Sequence, residues 1–78
     1  MVKEIPEEKR KILISQYEAI RRSGLSNMFY SLSVQRIAYD NDFYELVNAI
    51  EDKQYTYILT NYSQLMKLIT EDDIPAMA

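Results

Sequence analysis

The segment DNDFYE, residues 40–45, comes closest in residue type to a metal site. Asp40, Asp42 and Glu45 carry the oxygen ligands that calcium and magnesium prefer. A calcium loop also requires ligands at alternate positions and a glycine at its sharp turn, and the segment has neither. Asp42 followed three residues later by Glu45 matches a capping box, with Asp in place of Ser or Thr. We therefore predict no metal site, and a helix that starts near Phe43.

Covalent catalysis has few candidate groups in this chain. The 78 residues include no cysteine and no histidine, so a nucleophile would have to be Ser, Thr, Tyr or Lys activated by another side chain. Gly24 is the single glycine, which excludes a glycine-rich phosphate loop. A helical chain of this length also has little room for a ligand-sized cleft. The sequence predicts a protein that is not an enzyme and has no cofactor.

The N-terminal part of the chain has the signals of a long helix. Pro6 suits the first helical position, and Glu7 and Glu8 follow where the helix dipole favours anions. Apolar residues recur at helical spacing as far as Ile20, and Gly24 stands where a helix commonly ends. These signals predict helix 1 from about Pro6 to Arg22.

Three further helices are predicted after it. Ser31 or Ser33 can cap a short second helix that carries Val34, Ile37 and Ala38. A third helix runs from about 43 to 52, because Phe43, Leu46, Val47 and Ile50 share one helical face. An apolar stripe from 55 to 69 predicts a longer fourth helix, although YTYILTNY is also rich in residues that favour strands.

The resulting fold class is all-α: a small four-helix domain in which two longer helices enclose two short central ones. One domain spans residues 1–78, with a core over about 6–70 and an acidic flexible tail at 71–78. A chain of this size buries only roughly 60% of its extended surface. We therefore expect a homo-oligomer, with a homodimer as the simplest form.

The two short central helices have the outline of a helix-turn-helix, which raises the possibility of DNA binding. In that motif the second helix enters the major groove. Here that helix, FYELVNAIED, would present Glu45, Glu51 and Asp52 and no Lys or Arg, while Arg36 is the single basic residue in the helix before it. Carboxylates facing phosphates make a poor DNA reader. We expect the outline to be structural and nucleic acid to be an improbable partner.

Charge is unevenly distributed along the chain, whose net charge is −3. Residues 1–24 hold six Lys or Arg and four Glu, a net of +2, and residues 25–78 hold three basic and eight acidic side chains, a net of −5. This polarity favours oriented contact with a charged partner. It leaves open a weaker nucleic-acid role for helix 1 through Lys9, Arg10, Lys11, Arg21 and Arg22, although Glu7 and Glu8 lie within pairing distance.

Tyrosine is the enriched residue type, with seven in the chain. Tyr17, Tyr55 and Tyr62 fall on the predicted apolar stripes, so we expect them to be half-buried with their hydroxyls in water. The other four fall off the stripes, and exposed tyrosines are typical of protein interfaces. The predicted partner-binding residues are Arg21, Arg22, Tyr30, Arg36, Tyr39, Tyr44 and Tyr57.

Two segments, RRSGLSNMF and SVQRIAYDNDFYELVNAIED, resemble a family of small uncharacterised proteins from phages and prophages of Firmicutes. Its members share an AIR…G…NMF segment, a VQ…A…FYELV…I segment and a terminal FIL-like helix. The resemblance covers about 12–59, and it departs at Tyr30, where relatives usually have Asp. The matching positions are Ala19, Ile20, Arg21, Gly24, Asn27, Met28, Phe29, Val34, Gln35, Ala38, Phe43, Tyr44, Glu45, Leu46, Val47, Ile50, Ile58 and Leu59.

The resemblance implies an origin and not a mechanism, namely a phage accessory gene expressed in a bacterial cytosol. A cytoplasmic location also agrees with the N-terminus, which lacks an apolar signal region, and with the absence of an apolar run of membrane-spanning length. The leading hypothesis is a protein-binding module that inhibits or modulates a host or phage protein. The alternatives are a dimeric DNA-associated regulator that uses helix 1 and a homo-oligomeric structural protein.

Overall fold

The computed structural model describes residues 5–77, and all regular elements in this range are helical. The predicted all-α class is confirmed, and the strand alternative for YTYILTNY is wrong. The helices are α1 (Glu7–Ser23), α2 (Ser31–Asp40), α3 (Tyr44–Glu51), α4 (Tyr55–Thr60) and α5 (Tyr62–Met66), followed by a 3-10 turn (Glu71–Asp73).

Helix α1 begins and ends where its local signals predicted. Pro6 precedes the first turn, which carries Glu7 and Glu8, and the backbone N–H of Gly24 donates to the carbonyl of Arg21 at 3.3 Å. Gly24 has a φ of 70°, a left-handed conformation that glycine adopts without a steric penalty. The chain therefore leaves α1 at the position predicted from the sequence.

Helices α2 and α3 both end in a Schellman motif with a non-glycine residue in the left-handed position. After α2, Asp42 has a φ of 61° and the N–H of Phe43 donates to the carbonyl of Ala38 at 2.8 Å. After α3, Lys53 has a φ of 60° and the N–H of Gln54 donates to the carbonyl of Ala49 at 2.8 Å. These turns satisfy carbonyls that the helix ends would otherwise leave unpaired.

The predicted capping box of Asp42 and Glu45 is therefore wrong. Asp42 closes α2 instead of opening α3, and its carboxylate accepts a hydrogen bond from the Tyr44 hydroxyl at 2.8 Å. The start of α3 has no side-chain cap of its own. The side chain of Gln16 in α1 takes that role, because its Oε1 accepts the N–H of Leu46 at 3.0 Å.

The long fourth helix is also wrong, since Asn61 divides it into α4 and α5. The side-chain amide of Asn61 donates to the carbonyl of Tyr57 at 2.9 Å, and the same carbonyl accepts the backbone N–H of Asn61 at 3.0 Å. Asparagine competes with the backbone in this way and so interrupts helices. Residues 5–77 therefore form one long α-helix and four short ones, and not two long helices around two short ones.

The core lies between α1 and the shorter helices, and α1 packs against α2, α3 and α5. Ile12 in α1 is 41% exposed and lies outside this core. The buried apolar side chains are Leu13, Ile14, Tyr17, Ala19, Ile20, Val34, Ala38, Phe43, Leu46, Ala49, Tyr55, Ile58 and Leu65.

Beyond α5, the acidic segment starts with a structured turn. Thr70 and Asp73 form a capping box, in which the Thr70 N–H donates to the Asp73 carboxylate at 2.8 Å. Ile74 and Met77 are partly buried against the core. The flexibility of residues 71–78 stays a prediction.

Candidate protein-binding surface

A buried carboxylate holds the end of α1 to the C-terminal half of the chain. The Glu18 side chain is 1% exposed and accepts hydrogen bonds from Arg21 Nε at 2.7 Å and Nη2 at 2.6 Å. Arg22 Nε donates to it at 2.8 Å, and the Tyr62 hydroxyl donates at 2.7 Å. These donors, and Arg21 above all, overcome the cost of burial and lower the pKa of Glu18 to about 2.

The two arginines predicted to meet a partner are thus engaged within the chain. The rest of the Arg22 guanidinium pairs with both carboxylate oxygens of Glu71, with Nη2 to Oε1 at 2.9 Å, and Glu71 together with Glu18 raises the pKa of Arg22. The Arg21 guanidinium also lies 5.7 Å from the centre of the Tyr62 ring. Neither arginine is a free cation at the surface, although both side chains remain partly exposed.

The tyrosines divide into buried and exposed groups, nearly as predicted. The rings of Tyr55 and Tyr62 lie 6.0 and 5.7 Å from that of Tyr17. Burial raises the pKa of all three hydroxyls. The expectation that these hydroxyls lie in water is wrong for two of them, because Tyr62 bonds to Glu18 and Tyr55 donates to the carbonyl of Met28 at 2.5 Å.

Of the four tyrosines predicted to be exposed, three are. Tyr30, Tyr39 and Tyr44 are 66%, 62% and 50% exposed. Tyr57 is only partly exposed and packs against the core. Its predicted place on the exposed surface is wrong, because it packs against the core from α4.

The connection between α1 and α2 exposes three large apolar side chains, which we call the loop surface: Leu25, Phe29 and Tyr30. Their exposed fractions are 66%, 78% and 66%. Sequence reasoning selected Tyr30 and missed Leu25 and Phe29. The available signal was their position between Gly24 and Ser31, outside every helical stripe.

The backbone beneath the loop surface is fixed by hydrogen bonds. Asn27 Oδ1 accepts the N–H of Phe29 at 2.9 Å, and the Asn27 carbonyl accepts the N–H of Tyr30 at 3.0 Å. These bonds form a turn that the Asn27 side chain caps. The Met28 carbonyl is held by Tyr55 from the core, and the Ser26 hydroxyl donates to Ser33 at 2.8 Å. Phe29 and Tyr30 are therefore exposed on a structured loop.

A shallow groove of about 380 Å³ separates α2 from α3. We call its lining the α2–α3 face, and it contains the predicted residues Arg36 and Tyr39. Gln35 bridges the two helices, because its Nε2 donates to Glu51 Oε1 at 3.1 Å. The Tyr44 ring packs edge-on to Tyr39, 5.9 Å between centres. The complete lining is Leu32, Gln35, Arg36, Tyr39, Val47 and Glu51.

Residues 5–77 have neither a metal-binding cluster nor a membrane-spanning helix. This part of the chain contains no cluster of three or more acidic side chains placed to hold a metal ion. None of its helices is long and apolar enough to cross a membrane. Glu45, considered above as an oxygen ligand, instead lies 3.9 Å from the Lys9 ammonium.

Fold and surface together define a small all-helical domain with a structured, apolar loop surface. Residues 10–70 match the family described as "Domain of unknown function (DUF5049)", and the chain belongs to this family. No curated protein and no solved structure matches the chain. The membership agrees with the resemblance to an uncharacterised family stated above.

Proposed function

We propose that this protein is a non-enzymatic module that binds another protein through the loop surface and thereby inhibits or modulates it. The observation that carries the proposal is the exposure of Leu25, Phe29 and Tyr30 on a loop whose backbone is already fixed. Large aromatic side chains dominate the energy of protein interfaces. A loop that is ordered before binding avoids much of the entropy cost of association.

A second feature supports binding at this position. A groove of about 250 Å³ lies beside Phe29, between the loop and the start of α4, and its lining includes Ile50, Tyr55 and Leu59. Lys53 lies at the same groove and has no ion pair with a carboxylate of the described residues. A partner that inserts an apolar side chain and places a carboxylate near Lys53 would complement this surface.

We further propose that the partner is a host or phage protein of a bacterial cytosol, which is what the resemblance to phage and prophage proteins implies. The DNA-regulator alternative receives less support from the contacts. Arg21 and Arg22 pair with Glu18 and Glu71, and Lys9 lies near Glu45, so these cations of α1 are partly neutralised. Neutralised cations contribute little to phosphate binding.

The test is affinity capture from host lysate with three forms of the full chain. The wild type is compared with a Phe29→Ser, Tyr30→Ser double variant, and Tyr44→Ser is the matched control because it removes an exposed tyrosine outside the loop surface. We expect one protein to be captured by wild type and control but not by the double variant. Circular dichroism must show that all three forms are folded.

The captured protein is then purified and titrated with each form of the chain. A gel shift with duplex DNA is run in parallel at about 150 mM salt, because exposed charges are then screened beyond roughly 8 Å. One-to-one binding that the double variant reduces at least about a hundredfold supports the proposal, since aromatic hot spots each contribute on this scale. Binding that survives the double variant, or DNA binding without a protein partner, overturns it.

A further inference from the structure

We infer that the α2–α3 face pairs two copies of this chain about a two-fold axis. The face is distinct from the loop surface, so the inference does not depend on the proposed function. It rests on the exposure, charge and spacing of the residues that line the groove between α2 and α3.

The apolar part of the face is a stripe on α2 that is largely exposed to solvent. Leu32, Arg36 and Tyr39 are spaced i, i+4 and i+7, which places them on one side of the helix. Leu32 is 77% exposed and Tyr39 is 62% exposed. The opposite side of α2 buries Val34 and Ala38 in the core, so α2 has apolar residues on two sides.

The charges of the face are balanced but not paired with each other. Arg36 forms no ion pair with a carboxylate of the described residues, and Glu51 accepts a hydrogen bond from Gln35 but has no cation within 4.0 Å there. One unpaired cation and one unpaired anion on the same face make that face complementary to itself. Two-fold interfaces have this property, because residue i of one copy contacts residue j of the other and the reverse.

The spacing along α2 defines how two copies would meet. An axis that crosses midway between Gln35 and Arg36 pairs two antiparallel α2 helices so that Leu32 of each copy faces Tyr39 of the other. Arg36 then faces Gln35 of the second copy, beside the Glu51 carboxylate that this Gln35 holds at 3.1 Å. Both apolar contacts and both ion pairs form in one arrangement.

The size of the face agrees with a weak dimer. A tyrosine contributes roughly 150–250 Å² when fully buried, so the exposed part of Tyr39 offers on the order of 100 Å². With Leu32, Arg36 and Glu51, the area is roughly 400–500 Å² per partner, about half of a standard interface and in the range of weak, transient contacts. We expect a dissociation constant in the micromolar range.

The test uses charge reversal and mixing, measured by sedimentation velocity over a concentration series. Arg36→Glu alone places two carboxylates together at each ion pair, and Glu51→Arg alone places two guanidiniums together. Each should weaken self-association at least about tenfold. An equimolar mixture of the two variants restores both pairs between unlike chains, so it should form a dimer close to wild-type strength.

Mixing separates an effect on the interface from an effect on folding, because a contact within one chain cannot be repaired by a second chain. Lys67→Glu is the matched control for charge reversal at an exposed site outside the face, and it should leave the dimer unchanged. Leu32→Ser should weaken the dimer without any change of charge. A monomeric wild type at every concentration overturns the inference, as does a dimer that the single variants leave intact or a mixture that stays monomeric.

Discussion

Replacing Glu18 by Gln tests the buried network that joins α1 to the C-terminal half of the chain. Glutamine keeps the shape of the side chain, but it removes the charge and turns one acceptor into an NH2 group. That group would face donors of Arg21, Arg22 or Tyr62, which all point at the carboxylate. We therefore expect Glu18→Gln to lower the free energy of unfolding at pH 7.

The expected loss follows from the pKa of this carboxyl. A pKa that falls from 4.5 to about 2 corresponds to roughly 3 kcal/mol of stabilisation of the charged form. The Arg21 and Arg22 side chains are 46% and 40% exposed, so water replaces part of what they lose, and Arg22 keeps its contact with Glu71. We expect a loss of about 2–3 kcal/mol, which would lower Tm by roughly 10–20 °C.

The dependence on pH has a definite sign. The folded pKa of Glu18 lies below its value in the unfolded chain, so the unfolded state takes up the proton first as the pH falls. The contribution of Glu18 is therefore complete above about pH 4.5 and is lost as the pH falls towards 2. The difference in stability between the wild type and Glu18→Gln should shrink over that interval, since only the wild type has this carboxyl.

The assay is urea unfolding followed by circular dichroism at pH 7 and at several values down to pH 2. The matched control is Glu8→Gln, which neutralises an exposed carboxyl in the same helix and should change stability by no more than about 0.5 kcal/mol. A Glu18→Gln variant as stable as this control would refute the reasoning. A loss of stability that stays constant from pH 7 to pH 2 would refute the assignment to the charge.

Three further substitutions have defined outcomes. Lys53→Gly should raise the free energy of unfolding by about 0.5–1 kcal/mol, as measured by urea unfolding, and no gain would contradict the prediction. The left-handed conformation costs a residue with a side chain roughly 1–2 kcal/mol. Glycine avoids this cost, but its larger loss of conformational entropy on folding offsets part of the gain. Tyr55→Phe should cost about 1–2 kcal/mol and speed amide hydrogen exchange in the loop, since the Met28 carbonyl loses its donor; unchanged exchange would contradict it. Gln16→Ala should cost about 1 kcal/mol and expose the Leu46 amide to exchange, whereas a protected amide would show that Gln16 does not cap α3.

Local signals predicted the elements that local interactions control. Pro6, Glu7, Glu8 and Gly24 set the limits of α1 because caps and helix dipoles act within one turn. The apolar spacing around Leu46 and Ile58 predicted that these two side chains are buried, because residues three and four positions apart share one side of a helix.

Contacts between distant residues account for the errors. No local pattern distinguishes Glu18 within helix 1. It is the centre of a network because Tyr62 bonds to it, and Glu71 bonds to Arg22, from the other end of the chain. The predicted capping box at Asp42 is wrong because Asp42 adopts the left-handed conformation that ends α2. Gln16 in α1 caps the start of α3 instead. No pattern within a single segment encodes these pairings.

The sequence by itself determined an all-helical chain, the limits of α1 and the side of α3 that meets the core. It did so because helix periodicity and caps depend on neighbours within about four residues. Only the tertiary structure decided which polar groups are satisfied inside and which apolar groups remain outside. Phe29 and Leu32 are exposed, and Arg21 and Arg22 are engaged, because burial and pairing depend on residues that folding brings together from far apart in the chain.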